Sequence, residues 1–465
     1  MVSSETLPFV RVVLLDFNGG RTIVDAVDAV TKTQWPADRL EIVCVDNGST
    51  DGSFEEIERR FPSVVTMRNG QNLGFPGNNV AMAVLDGVDY VALVNSDALV
   101  EPTWLAPLVE RASSDNGIGA VCPKILFADR FVEVSVGIKG EGDTRAPLSM
   151  LRAVSSNGED VFTRSHVAKG GGRTSDRSGI FEWLSDGSVL RVPVDAVAGA
   201  VASAEIAIEI EARARCVVTL NESEGIERAL AAGERASIVL TVTHEPVDVV
   251  NNVGSWLDES WIGHERGLYD VDRGHLDDVQ EIGTWCGAAV LLRASHLLDV
   301  GLFEESFFLY YEDTDLAVRG RGRGWRFVVE PASVVRHIHS ASTVEGSAIA
   351  AHFIERNRLL LVTRHGSASE VFREFARYPL VTASYMRAAF KEAVKRRQAP
   401  DLKNVVRRLR SYVAALQVVP SSLSARHRIS ADRYLTRSEV RRKIALGSAT
   451  VAPESDEDTG LRLDP

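Results

Sequence analysis

The chain has 465 residues, 45% hydrophobic and 25% charged, with a formal net charge of −12. This is the composition of a soluble globular protein of roughly two to four domains. No apolar run nears the ~20 residues that span a bilayer, and the acidic balance excludes wholesale nucleic-acid binding. Cys44, Cys122, Cys216 and Cys286 lie far apart with no C-x-x-C pair, so neither a zinc site nor a disulfide framework is expected. The first ten residues lack a signal-peptide pattern, which makes the cytoplasm the expected location.

Taken in order, residues 10–15, 42–45, 90–94 and 118–122 are short apolar, β-branched runs, with helical patterns at 22–31 and 54–60 between them. Strands alternating with helices predict an α/β domain with a parallel sheet. Its ligand crevice should lie at the carboxyl ends of the strands. From 131 to 248 the texture changes. Gly, Ser and charged residues come first, then alternating runs at 188–194, 205–211, 216–220 and 236–243. These predict a small β-sandwich-like module inserted into an α/β domain split between 1–130 and 249–345. The α/β pattern resumes at 288–292 and 326–329. Residues 346–445 read as a basic helical region and 446–465 as a disordered tail.

The net charge averages opposite signs. Between Arg387 and Lys443 there are 16 Lys and Arg against 4 Asp and Glu. Apolar Val405, Leu409, Val413 and Leu416 fall among them at helical spacing, a pattern suited to an anionic membrane surface, to an ordinary solvated face, or to a face packed against the acidic body.

Five motifs carry chemistry. After the second strand comes Val45-Asp46-Asn47-Gly48-Ser49-Thr50-Asp51. This is a tight turn that can hold a carboxylate over the crevice to accept a pyrimidine imide N–H, or a plain Asx turn and helix cap. Asn72-Leu73-Gly74-Phe75-Pro76-Gly77-Asn78-Asn79 is an amide-rich loop entering a helix, whose N–H groups could meet phosphate or ribose. The third strand ends in Asn95-Ser96-Asp97, where a hard oxygen ligand could hold Mg²⁺ or Mn²⁺ against a diphosphate. An aromatic run then precedes Glu312-Asp313-Thr314-Asp315. In a helix starting there Glu312 and Asp315 share a face while Asp313 points elsewhere. An acid against an aromatic wall can be desolvated enough to act as a general base. Last, Arg336-His337-Ile338-His339 sets two imidazoles two residues apart, ahead of Ser340 and Ser342, a pattern for a metal or phosphate site.

In this order the motifs resemble a family-2 glycosyltransferase of the GT-A fold, over residues 10–129 and about 249–364. Further markers are Trp285-Cys286-Gly287-Ala288 and Glu355-Arg356-Asn357-Arg358. The set looks most like the actinobacterial rhamnosyltransferase-like branch that builds cell-wall polysaccharides. The resemblance implies inverting transfer from a nucleoside-diphosphate sugar, with rhamnose on dTDP favoured and galactofuranose on UDP second, to a glycan or glycolipid acceptor. By the family pattern Asp46 recognises the base, with Phe17 and Asn18 nearby. Asn47, Asn72, Gly74, Asn78, Asn95 and Ser96 line the donor pocket, and Trp285, Cys286 and Gly287 face the acceptor. Asp97 binds the divalent ion, Mg²⁺ or Mn²⁺, joined by His337, whose spacing to Ser342 fits better than that of His339. Asp313 is the general base, with Glu312 beside it. Asn95 departs from the usual Asp-x-Asp and leaves the ion more dependent on donor phosphates. The insertion lies outside the family pattern; its expected role is acceptor choice or association, as in a homo-oligomer, and an inert spacer is the alternative.

Two other classes compete. A non-catalytic glycan-binding protein would use the insertion as its working part. A nucleotidyltransferase would want a second acid near Asp97 and a basic pyrophosphate loop, and neither is visible.

Overall fold

The structure is a computed structural model, described over residues 7–140, 149–169, 173–176, 179–195, 202–220, 225–338 and 347–448. The α/β half opens with β1 (Val10–Asp16), α1 (Gly20–Thr31), β2 (Leu40–Asp46), α2 (Ser53–Arg60), β3 (Val65–Arg68), α3 (Asn79–Met82), β4 (Tyr90–Asn95), β5 (Ala98–Val100), α4 (Leu105–Ser113) and β6 (Ile118–Phe127). Both faces of its sheet are covered, which is why the strands read as continuous apolar runs. Val10, Val12 and Leu14 of β1 pack with Ile23, Val27 and Val30 of α1, while Val13 joins Val43, Val91 and Leu93 in a second core on the opposite face.

The sheet has ten strands and is mixed rather than parallel. β1 pairs parallel with β2 and β4, but Ala289–Arg293 lies antiparallel between β4 and β6. Residues 249–288 that lead into it hold only short strands and no α-helix. Without a crossover helix the chain re-enters antiparallel. Arg326–His337, much longer than the run that predicted it, pairs parallel with β6 and carries His337 as its last residue. In-register pairing sets Asp16 beside Asp46 and Leu15 beside Asn95, so these strand ends share one edge.

The insertion is a sandwich of a five- and a six-stranded antiparallel sheet around one apolar core. Its strands include Arg130–Gly140, Ser149–Ser156 and Gly179–Leu184 as well as the expected runs. Its entry and exit are tied by the Phe131–Val247 bridge and by Asp248, which accepts from Arg130 and from Arg336, both at 2.9 Å.

Two helices, α5 (Ala294–Val300) and α6 (Glu312–Gly322), complete the α/β half, and α7 (Ala348–His365), α8 (Ala368–Arg396), α9 (Lys403–Ala431) and α10 (Arg437–Ile444) form the helical region. α8 and α10 open with capping boxes, Ser367 with Glu370 and Thr436 with Glu439, a start signal readable in the sequence. Leu359 to Val362, Tyr378, Ala415, Val440 and Ile444 pack with Trp261, Phe307 and Val318 of the α/β half. Leu446, expected to begin the tail, is docked: Gly283 N–H donates to its carbonyl at 2.9 Å. The remainder from 449 lies outside the described residues.

The basic stretch is not one solvated face. Arg407 and Arg408 both turn inward onto Glu355, Arg426 donates to the Thr363 carbonyl, and Arg441 donates to the Asp258 and Glu259 carbonyls. No described helix is long and apolar enough to cross a membrane, and all four cysteines are free.

Glu355 is the hub that joins α7, α8 and α9, since it also accepts from the Tyr378 hydroxyl at 2.7 Å. Removing one member of a buried ion network leaves the rest unpaired and costs about 3–5 kcal/mol. Glu355→Ala should lower the unfolding free energy by that order in urea titrations; a loss under about 1 kcal/mol would rule out the hub.

Candidate functional site

The crevice is built by loops leaving β1, β2 and β4. Gly48, at φ +88°, lets the chain turn so that Asp46 Oδ1 accepts the N–H of Gly48 (3.0 Å) and of Ser49 (2.7 Å). Its other oxygen faces Arg68 at 3.6 Å. Asn18 stitches the β1 loop to this turn, accepting from Thr50 N–H at 2.8 Å and donating its own N–H to Ser49 Oγ at 3.0 Å. The exposed ring of Phe17 stands beside it. Phe17, Asn18 and Asp46 are therefore brought together, as the sequence predicted. Asp16, which the sequence did not single out, is buried beneath them and accepts from Gly19 N–H (2.9 Å) and Ser53 Oγ (2.7 Å). Burial pushes its carboxyl up.

Two predicted donor contacts become supports. Asn47, 1% exposed, donates to Asn72 Oδ1 and the Gly74 carbonyl and accepts from Asn69 and Leu73 N–H. Asn78, 2% exposed, donates to the Phe75 carbonyl. With these side chains turned inward, they hold the loop rather than face a ligand. Asn72 stays exposed at the loop tip, and Asn95 and Ser96 are half-buried at the end of β4. Gly74 serves a tight contact: at φ +67°, a Cβ there would sit 1.9 Å from the Phe308 carbonyl oxygen, which accepts from Phe75 N–H at 2.8 Å. Only glycine allows that approach.

Asp97 and His337 meet as expected. His337 Nε2 is 3.0 Å from Asp97 Oδ1, and its Nδ1 is 3.1 Å from Asn251 Oδ1. An amide oxygen at Nδ1 takes the ring proton there and turns the Nε2 lone pair toward the carboxylate. A neutral ring donates to only one of these two oxygens, and a metal between Nε2 and Asp97 would satisfy the other side. Adjacent ligands of an octahedral ion at about 2.1 Å are also about 3 Å apart, so the pair fits one edge of a Mg²⁺ or Mn²⁺ shell. Among the described residues no group of three or more His, Cys, Asp or Glu is disposed to hold a metal, so further ligands must come from elsewhere. His339 lies outside the described residues.

The acidic segment divides its roles. Phe308, Tyr310 and Tyr311 all have positive φ, 64°, 66° and 71°, a conformation that costs each bulky residue and persists only when its surroundings impose it. Asn357 of α7, fully buried, imposes it by donating to the carbonyls of Phe307, Leu309 and Tyr310 at 2.8, 2.8 and 2.7 Å. Helix α6 then begins at Glu312. Asp315 and Glu312 share its inward face, as the spacing predicted. Asp315 is held by Arg319 (2.9 Å), Arg364 (2.6 Å) and His365 (2.8 Å). Despite full burial these partners hold its carboxyl well below the usual range.

Asp313 is half-buried and faces the other way. Its Oδ2 accepts Gly287 N–H at 3.1 Å and its Oδ1 accepts Thr314 N–H at 2.6 Å, yet burial still pushes its pKa up. Glu312 is 5% exposed, and its Oε2 has no hydrogen-bond partner. Burial, with Asp313 adjacent, raises its pKa well above the ordinary value. Buried on the inner face of α6, Glu312 does not share the exposure of Asp313, and the expectation that it acts beside Asp313 is corrected on that geometry. Trp285 is also corrected. It is 1% exposed and packs on Phe303 in the core, so it offers no platform to a sugar. Cys286 is partly exposed with its thiol pushed up by burial, and Gly287 supports Asp313. Asn95 N–H donates to the Ala288 carbonyl at 2.9 Å, so the Asp97 and Asp313 ends of the site are linked through neighbouring strands. Asn251 and Arg68 were not foreseen, and Asn357 was noted only as part of a motif; a buried amide serving backbone carbonyls has no distinctive sequence signal.

Residues 12–175 match the family described as Glycosyl transferase family 2. An uncharacterized glycosyltransferase of Haemophilus influenzae is 26% identical over 140 residues, 29% of this chain and 42% of that protein. Glycosyltransferase AglE of Haloferax volcanii is 29% identical over 129 residues, 27% and 41%. The N-acetylglucosaminyl-diphospho-decaprenol L-rhamnosyltransferase of Mycobacterium tuberculosis is 36% identical over 86 residues, 18% and 28%. The chain thus spans less than half the length of each of these relatives.

Asp315→Asn should unpair Arg319 and Arg364 and destabilise the fold by about 3–5 kcal/mol. Because the folded carboxyl is depressed, its stabilisation is present above the unfolded value near 3.8 and is lost as pH falls through the folded pKa. Unfolding midpoints measured from neutral pH downward should fall less steeply in the variant than in the wild type; parallel curves would refute the assignment.

Proposed function

From the match of residues 12–175 to Glycosyl transferase family 2, we propose that the chain is an inverting, metal-dependent transferase using a nucleoside-diphosphate sugar. The observation that carries the reading is Asp313: an acid with a raised pKa, aimed by Gly287 N–H and a strained loop, one strand from the Asp97–His337 pair. Inversion by single displacement needs one base and no nucleophile pair. The acceptor hydroxyl gives its proton to Asp313 as its oxygen attacks the anomeric carbon. Phe17, Asn18 and Asp46 take the nucleobase, and Asn72, Asn95 and Ser96 take polar groups of the donor. Asp97 and His337 would hold Mg²⁺ or Mn²⁺, which supplies charge neutralisation to the departing diphosphate.

Rhamnose on dTDP is the favoured donor and galactofuranose on UDP the second. The mycobacterial relative, by its name a rhamnosyltransferase, supports the first. A cell-envelope or lipid-linked glycan is the proposed acceptor, reached from the cytoplasmic side. The Glu312 and Asp313 environments disfavour a purely glycan-binding role, because a sugar-binding surface gains nothing from a raised, oriented carboxylate.

Asp313→Asn should lower transfer about 10²–10⁴-fold while donor binding by thermal shift is retained. Glu312→Gln, which mimics a neutral acid, should stay within a few-fold of wild type. Equal loss in both would place the base elsewhere. The acid limb of kcat/KM against pH should lie above 3.8, because Asp313 must be ionised to accept a proton and its pKa is raised. Chelation of divalent ions should abolish turnover and Mn²⁺ or Mg²⁺ restore it; turnover unaffected by chelator would exclude the metal.

A further inference from the structure

With Arg407, Arg408, Arg426 and Arg441 turned inward, the outer side of the α8–α9 hairpin can be read residue by residue. On α9, Val406, Leu409, Val413, Leu416 and Leu423 are all exposed. Their spacing of three and four, then seven, places them on one face, a stripe about 25 Å long at 1.5 Å per residue. On the last turns of α8, Phe390 is 50% and Val394 79% exposed, with Met386 beside them. None of these side chains belongs to a core cluster of the protein. The exposed charges that accompany them on α9 are Lys403, Arg410 and Arg428, with no exposed acid between 403 and 431. Arg387, Lys391 and Arg397 add to this at the end of α8, against Glu392 and Asp401. Arg410 lines the same shallow groove as Val406, Leu409 and Val413.

An apolar α9 face whose own exposed charges are all basic, on a chain whose net charge is −12, points to an occupant both apolar and anionic. We propose that this hairpin face docks on an anionic lipid bilayer, the apolar stripe entering the acyl boundary and the flanking Lys and Arg meeting headgroups. Charge decides against a second copy of the chain, which would set Lys403, Arg410 and Arg428 against cations of the same face without neutralising partners. The inference stands on this face alone and is tested without any transfer assay, so its failure leaves the proposed chemistry intact, and the reverse holds.

The test is co-sedimentation of the full chain with phosphatidylcholine vesicles, pure or carrying about 30 mol% phosphatidylglycerol. The protein should pellet with the anionic vesicles and remain in the supernatant with the neutral ones. Leu409→Glu with Val413→Glu, and separately Lys391→Glu with Arg410→Glu, should each weaken partitioning about tenfold or more. Unfolding midpoints should not move, because every substituted side chain is exposed. Absence of pelleting, or pelleting untouched by Leu409→Glu with Val413→Glu, overturns the proposal. So does a wild-type dimer in light scattering that this substitution dissociates, since the face would then belong to a second copy.

Discussion

The structure turns on one buried carboxylate. Asp315 sits in the first turn of α6 with no solvent contact, ringed by Arg319 from its own helix and by Arg364 and His365 from α7. A lone ionised carboxylate in that position would be prohibitive, and three cationic or proton-donating partners reverse the sign. The consequence reaches beyond the ion cluster. By fixing the end of α7 against the start of α6, it sets Asn357, two turns earlier on α7, over the carbonyls of Phe307, Leu309 and Tyr310. The positive φ angles of the aromatic loop are sustained by that clamp, and the loop in turn delivers Asp313 to the crevice. Gly74 completes the arrangement by letting the amide-rich loop close on Phe308.

Three neighbouring acids thus reach three different electrostatic states. Asp315 is buried with strong partners and stays ionised. Glu312 is buried without a partner for one oxygen, and its carboxyl is pushed well up. Asp313 is half-buried, hydrogen-bonded by backbone N–H groups, and lies between those extremes. Helical periodicity alone sets the first two on one face and the third elsewhere, but it takes Arg319 of α6 with Arg364 and His365 of α7 to hold the Asp315 carboxyl low.

This is also where the sequence was legible and where it was not. The β1, β2 and β4 runs, the turns that follow them and the inward pair Glu312–Asp315 were readable, because they rest on local periodicity and turn chemistry. Trp285 misled because an aromatic beside a glycine reads equally as core or as platform, and only packing against Phe303 separates the two. The antiparallel placement of Ala289–Arg293 depends on what precedes it over forty residues, which no local pattern encodes. Arg130–Gly140 is a different kind of miss. Val132, Val134, Val136 and Ile138 alternate cleanly, and the surrounding Gly and Ser obscured a strand that the period of two already announced.

The same distinction governs the charge. A count of basic residues in the last helices treats Arg408 and Arg410 as equals, yet one is fixed on Glu355 in the interior and the other stands beside exposed Val413. Arginine suits the inward role because its planar fork makes several directed bonds without losing its charge. Each arginine consumed inside removes a cation from the surface count, so the helical region is less basic outside than its sequence suggests. Among the described residues, Lys403, Arg410 and Arg428 remain exposed on α9 with the apolar stripe, while Arg373, Arg377 and Arg442 are exposed elsewhere. Asp248 shows the converse economy at the root of the sandwich, where one carboxylate receives Arg130 at the entry and Arg336 next to His337. The inserted module is therefore anchored to the strand that carries His337.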